Sequence, residues 1–375
     1  MSEARAPGDR RVGHTMVGSN QQAVSELIER TAAAVPAFDA EAAAAAQGAL
    51  DGKTKPRGSL GRLEELACRL AGIRGGADLG ALPPVVVVCA ADHGIAAEGV
   101  SAYPQEVTAQ MLRNFAAGGA AVCVLARRAG ARLVLVDVGV RERIEDPAIL
   151  DRRVRAGTAN SAHGPAMSEE EMRRAVAIGI ELADGLAADG VGIVAMGEMG
   201  IGNTTAASAL TAALTRAKPD GVCGRGTGLD EAGVERKRSA VWRALEANNA
   251  SPRDPLGALA QVGGLEIAAL TGLVLGCAAN RLPVLVDGFI TAAAALAAVC
   301  VQERCADVLI ASHLSPEPGH RLLLDVFGQE PLLDLGMRLG EGSGAALALP
   351  IVGAAAALLG EMASFEGAGV TDAGA

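Results

Sequence analysis

PVVVVCAAD, residues 84–92, is an unbroken apolar run closed by an aspartate. A strand with one face in water alternates polar and apolar side chains, whereas a run apolar at every position needs cover on both faces. Four more runs of this kind follow: RLVLVDVGV (132–140), VGIVAMG (191–197), LPVLVDG (282–288) and DVLIASH (307–313). Between them lie helical stretches rich in alanine, one near 105–129, then TTAASALTAAL (204–214) and FITAAAALAAVC (289–300). This alternation predicts an α/β fold, a parallel sheet covered by helices on both faces in a Rossmann-like three-layer arrangement.

Half of the 375 residues are hydrophobic, with one Trp, one Tyr and five Phe, so the core must be aliphatic and closely packed. A formal charge of −10 argues against nucleic acid, whose phosphates need a basic face. The seven cysteines show no C-x-x-C spacing and most sit in apolar runs, which predicts reduced thiols and a cytoplasmic setting. Residues 1–22 are polar and without periodicity, as in a disordered leader. From about Ala23 to Gly72 the pattern is helical, with KPRGS (55–59) as a turn. GAALALPIVGAAAALL (344–359) is shorter than a membrane span and interrupted by Pro350 and Gly353, so it reads as a buried helix.

Two segments carry the strongest chemical signals. SHLSPEPGH (312–320) follows the last apolar run, where open α/β sheets put their chemistry. Pro316 and Pro318 stiffen the backbone around Glu317, a candidate general base, although Pro-Glu-Pro also occurs in exposed turns. MGEMGIGNTTAASAL (196–210) ends a strand with Gly197, Gly200 and Gly202, then opens a helix at Asn203, Thr204 and Thr205. Its N–H groups form a cradle for phosphate or carboxylate, or simply a tight turn. The segment has neither a Walker A lysine nor the G-x-G-x-x-G spacing. Glu198 within it would suit ribose hydroxyls or a substrate nitrogen, or be an exposed carboxylate.

Weaker signals surround these. GEGSGAALALP (340–350) repeats the glycine-to-helix pattern and could bind an anion, enclose a sugar or serve close packing. Lys237, after the flexible GRGTGLD (224–230), could neutralise a phosphate or lie on a helix surface. Tyr103, on a Gly/Ala/Pro loop, could lie against a flat heterocycle or act as a packing plug. Asp92 and His93 in ADHG are too few for a metal site, and no G-x-S-x-G elbow supports a serine hydrolase.

Together KPRGSLGRLE (55–64), ADHG (91–94), MGEMGIGNTT (196–205), VGGLEIAALTG (262–272), LPVLVDGF (282–289), SHLSPEPG (312–319) and MRLGEGSGAALALPIV (337–352) closely resemble the nicotinate-nucleotide–dimethylbenzimidazole phosphoribosyltransferases. The likeness runs from about Leu27 to Met362. It implies a homodimer with the site near the subunit interface, and a smaller all-helical domain built from both chain ends. The expected divisions are a leader (1–22), small-domain helices (23–75), the α/β catalytic domain (76–330), C-terminal helices completing the small domain (331–365) and a flexible tail (366–375).

The implied reaction moves phosphoribose from nicotinate mononucleotide to 5,6-dimethylbenzimidazole, giving α-ribazole 5′-phosphate and nicotinate for cobalamin. No metal or other cofactor is implied, because the cationic ring nitrogen lets nicotinate leave without a general acid. The resemblance makes Glu317 and Glu198 the site carboxylates. It assigns Gly200, Gly202, Asn203, Thr204 and Lys237 to the phosphoribosyl group, and Tyr103, Met111, Met199 and Leu314 to the base. Three rivals stay open: transfer to another base such as a purine or phenol, hydrolysis, and a catalytically silent nucleotide-binding regulator.

Overall fold

The computed structural model describes residues 21–226 and 228–371. Three helices come first: α1 (Gln21–Ala34), α2 (Ala40–Asp51) and α3 (Arg62–Arg74). Then follow β1 (Pro84–Ala91), α4 (Val107–Ala116), α5 (Ala121–Arg128), β2 (Arg132–Gly139), β3 (Ile149–Asp151), α6 (Glu169–Ala188) and β4 (Ile193–Met199). Helices α7 (Asn203–Thr215), α8 (Pro219–Val222), α9 (Glu231–Asn248), α10 (Pro255–Val262) and α11 (Leu265–Ala279) lead to β5 (Val284–Val286). The chain ends with α12 (Phe289–Val301), β6 (Leu309–Ala311), α13 (Pro318–Phe327), α14 (Ser343–Glu361) and α15 (Phe365–Ala368).

The six strands form one parallel sheet in the order β3-β2-β1-β4-β5-β6. The chain winds outward from β1 to β3, then returns to place β4 beside β1 and continues the other way. That reversal opens a crevice at the carboxyl ends of β1 and β4. Period-two geometry divides the core. Val85, Val87 and Cys89 of β1 enter one apolar cluster, with α1, α6, α7 and α9 to α12. Val86, Val88 and Ala90 enter the other, with α2 to α5 and α14. Both clusters are built from buried side chains, which is why the strand is apolar throughout.

Helices α6 and α11 approach backbone to backbone. A Cβ at Gly179 would fall 1.8 Å from the Ala269 carbonyl oxygen, and one at Gly272 1.8 Å from that of Val176. Gly276 is the milder case, its Cβ meeting Ala183 Cβ at 2.6 Å. Gly276→Ala should therefore cost about 1–3 kcal/mol by overpacking. A lower urea midpoint is the expected reading, and an unchanged one means the helices separate freely.

Several local expectations change. The single helix near 105–129 is divided between α4 and α5, because the chain turns at Gly118, whose φ is +75°. Helix α14 runs unbroken through Pro350 and Gly353, its packing on α2, α3, α5 and the sheet outweighing one lost hydrogen bond. Ser343–Glu361 and Val107–Arg128 both have the length and apolarity of a membrane span, but the first is 56% buried against protein and the second is the divided pair. The C-terminal helices expected over 331–365 reduce to α14 and the start of α15, with 331–342 irregular. The expected tail begins with α15, capped where Ser364 Oγ accepts the Gly367 N–H at 3.0 Å. Most of the expected leader (1–20) and the last residues (372–375) lie outside the described residues, and Gln21 and Gln22 are already helical.

Candidate active site

At the carboxyl ends of β1, β4, β5 and β6 lies a cavity of about 680 Å³. Its walls bring together Tyr103, Met111, Glu198, Met199, Gly200, Asn203, Thr204 and Glu317. Apolar side chains from Val107, Ile201, Phe289, Ile290 and Leu339 complete it, with Ser315, Arg338 and Glu341 as further polar members. Three expected residues do not line this cavity. Leu314 is half-buried and its N–H donates to the Leu333 carbonyl at 2.8 Å. Gly202, at φ +98°, presses its backbone on His93 and Ala96. Lys237 is buried behind the Gly224–Gly226 backbone and donates to the Gly224 carbonyl at 3.0 Å.

Glu317 stands at the N-cap position of α13 without a side-chain capping bond, and Pro318 takes the first helical position, where its missing N–H costs nothing. Its Oε1 accepts the Gly226 N–H at 2.8 Å. Its Oε2 is buried without a donor among the described residues. On the Gly224 side the fit is close, since a Cβ there would lie 2.2 Å from that oxygen. One oxygen is thus anchored and the other free, the arrangement of a proton acceptor held in place. Burial pulls the Lys237 ammonium below its ordinary pKa, against the opposing charge of Glu317.

Glu198, at the end of β4, has both oxygens engaged, by the Asn203 side-chain amide and by the Glu341 N–H at 3.4 Å. Burial, reinforced by Asp287 and Glu266, pushes its carboxyl up to about 8. Glu341 is raised to about 7, by burial and by Asp287. The folded state therefore holds protons that an unfolded chain, with Glu near 4.5, releases. Stability should fall as pH rises from about 4.5 to about 8. Glu198→Gln should flatten that fall, measured as urea midpoints across the same window. A slope unchanged in the variant means the proton uptake lies elsewhere.

The two glycine loops differ. In the first, the Asn203 N–H bonds the Gly200 carbonyl, and the Thr205 and Ala206 N–H groups bond that of Gly202. The Ile201 N–H goes to Thr108 Oγ1. Thr204 lines the cavity, its hydroxyl donating to Asn203 Oδ1 at 3.4 Å, with Lys237 nearby across Gly226. In the second loop the anion is the protein's own. Asp287, at the end of β5, accepts the Gly342 N–H at 3.1 Å and the Ala345 N–H at 2.9 Å. His313 lies 3.8 Å from the same carboxylate.

Behind the site, His93 Nε2 pairs with Glu266 Oε1 at 2.5 Å, both buried. No cluster of three metal-ligating side chains occurs among the described residues. His320 accepts the Ser315 N–H at Nδ1, and burial beside His313 lowers its pKa to about 4, so it stays neutral. A second cavity, of about 1020 Å³, shares Glu317, Gly226 and Arg338 with the first. Sequence reasoning missed this cavity, and it missed Phe289, Ser315 and Arg338 as lining residues although each lies in a quoted motif.

An α/β chain with this carboxylate and glycine turn at its switch point matches, over residues 35–370, the family model described as phosphoribosyltransferase. It is 52% identical to the nicotinate-nucleotide–dimethylbenzimidazole phosphoribosyltransferase of Halalkalibacterium halodurans, covering 85% of this chain and 90% of that one. The protein of the same name from Desulforudis audaxviator is 49% identical, covering 93% and 99%. The crystal structure of CobT from Thermus thermophilus superposes with a TM-score of 0.85 at 50% identity, covering 88% of this chain and 99% of that one. The chain belongs to the nicotinate-nucleotide–dimethylbenzimidazole phosphoribosyltransferase family.

Proposed function

We propose that this chain transfers phosphoribose from nicotinate mononucleotide to 5,6-dimethylbenzimidazole, forming α-ribazole 5′-phosphate and nicotinate for the lower ligand of cobalamin. The observation that carries the reading is the half-free carboxylate of Glu317 at an apolar cavity. The benzimidazole N–H proton passes to Glu317 Oε2 while the other ring nitrogen attacks C1′. The bond from C1′ to nicotinate breaks, and its electron pair neutralises the pyridinium. Attack opposite the leaving group inverts β to α.

Glu198 serves the ribose side, its carboxyl held by Asn203 and Glu341. Thr204 and the turn from Gly200 to Asn203 receive the phosphate, with Lys237 adding charge from behind. Tyr103, Met111 and Met199 form the base pocket, and Leu314 supports it through the chain beside Ser315. Tyr103→Ala should raise the Michaelis constant for dimethylbenzimidazole about 2–10-fold by loss of ring contact, and that for the nucleotide less. An equal rise for both points to general loop damage. Unpaired cysteines support a cytoplasmic setting, and the exposed Tyr103, Leu335 and Leu339 support a homodimer.

The test is incubation with nicotinate mononucleotide, with and without the base, followed by chromatography. Nicotinate released only with the base supports transfer. Release without it indicates hydrolysis, and none in either case indicates a regulator. Purines and phenols offered in place of the base test the remaining rival.

A further inference from the structure

Three carboxyl groups line the first cavity, from Glu198, Glu317 and Glu341. Among the described lining residues Arg338 supplies the one lysine or arginine side chain. It stands in the irregular stretch between α13 and α14, exposed, with no hydrogen-bonding or ion-pair partner among the described residues. It also borders the second cavity, together with Glu317 and Gly226, and so faces both spaces. Neither carboxyl is paired with it: Glu198 is held by Asn203 and the Glu341 N–H, and burial raises both Glu198 and Glu341. Nicotinate mononucleotide brings two anionic groups into this space. The phosphate is assigned above to Thr204 and the turn from Gly200 to Asn203, with Lys237 behind. The ring carboxylate has none of these. A guanidinium fork fits a planar carboxylate through two parallel bonds, a fit an ammonium does not offer.

We propose that Arg338 binds the carboxylate of the nicotinate ring and makes the site select the acid over the amide form of the pyridine mononucleotide. This rests on the transfer reaction proposed above. It adds a determinant of donor specificity that neither the glycine turn nor the base pocket provides.

Initial rates with nicotinate mononucleotide and with nicotinamide mononucleotide, each at saturating dimethylbenzimidazole, test it. Arg338→Met should lower kcat/KM for the nicotinate donor about 10–100-fold, the worth of a hydrogen-bonded charge. The nicotinamide donor should change less than about twofold, having no charge to lose. Arg338→Lys should fall between, keeping the charge without the fork. An equal fall for both donors makes Arg338 a phosphate contact or a structural residue and overturns the proposal, as does no fall. If the wild type transfers from neither donor, the proposed reaction itself fails. Calorimetric titration of nicotinate into wild type and Arg338→Met then decides the present point, with affinity lost in the variant supporting it and equal affinity overturning it.

Discussion

Glu317→Gln should fold, bind nicotinate mononucleotide almost as the wild type does, and turn over about 10²–10⁴-fold more slowly. That corresponds to about 3–5 kcal/mol of barrier. The glutamine oxygen can still take the Gly226 N–H that Oε1 takes now. Its amide nitrogen then occupies the place of Oε2, where it can only donate a hydrogen bond and cannot accept the base's proton. Residual turnover comes from holding the two substrates together. Steady-state rates and calorimetry on the folded variant check both halves. Retention of more than about half of the wild-type rate, far above the range for a lost general base, moves the base elsewhere, with Glu198 next to test.

Asp287→Ala is expected to have the largest effect on stability. The carboxylate is 1% exposed and ties the end of β5 to the start of α14 through the Gly342 and Ala345 N–H groups. Alanine removes the acceptor of both N–H donors in a buried site and leaves His313 without its neighbour. Breaking such a buried charged network costs about 3–5 kcal/mol, a large share of the roughly 5–15 kcal/mol that folds a domain. The urea midpoint should drop accordingly, and Asp287→Asn, which keeps one acceptor, should drop less. A loss below about 1 kcal/mol means that these donors find another partner.

The sheet was legible because apolarity at every position of 84–91 has one economical explanation, burial on both faces, and the alternation of Val85 and Val86 between two clusters bears it out. Strand β3 was not legible. Its three residues, Ile149–Asp151, have no periodicity and are strand only by pairing with Leu135, Val136 and Asp137. The second glycine loop could be read as an anion site from its amides. What fills it could not, because Asp287 lies 55 residues from Gly342 in the chain. Burial of Lys237 was equally hidden: it sits in the charged run ERKRS, and only the packing of α9 beneath the Gly224–Gly226 backbone turns it inward. Glu317 was readable as an aimed carboxylate from its two prolines. The freedom of one of its oxygens was not, because Gly226 and Gly224 meet it from a distant loop.

The backbone contact of α6 and α11 also sets how the protein opens. Every residue of α11 except Ala279 is buried, and Gly179, Gly272 and Gly276 leave no slack along the seam. Neither helix can loosen alone, so their amides should exchange with deuterium only when the whole chain unfolds. The slowest-exchanging amides of α11 then read out the global stability directly. The part of the irregular stretch from 334 to 340, exposed at most of its residues, should exchange first, so the wall that carries Arg338 can rearrange around a substrate while the seam stays shut.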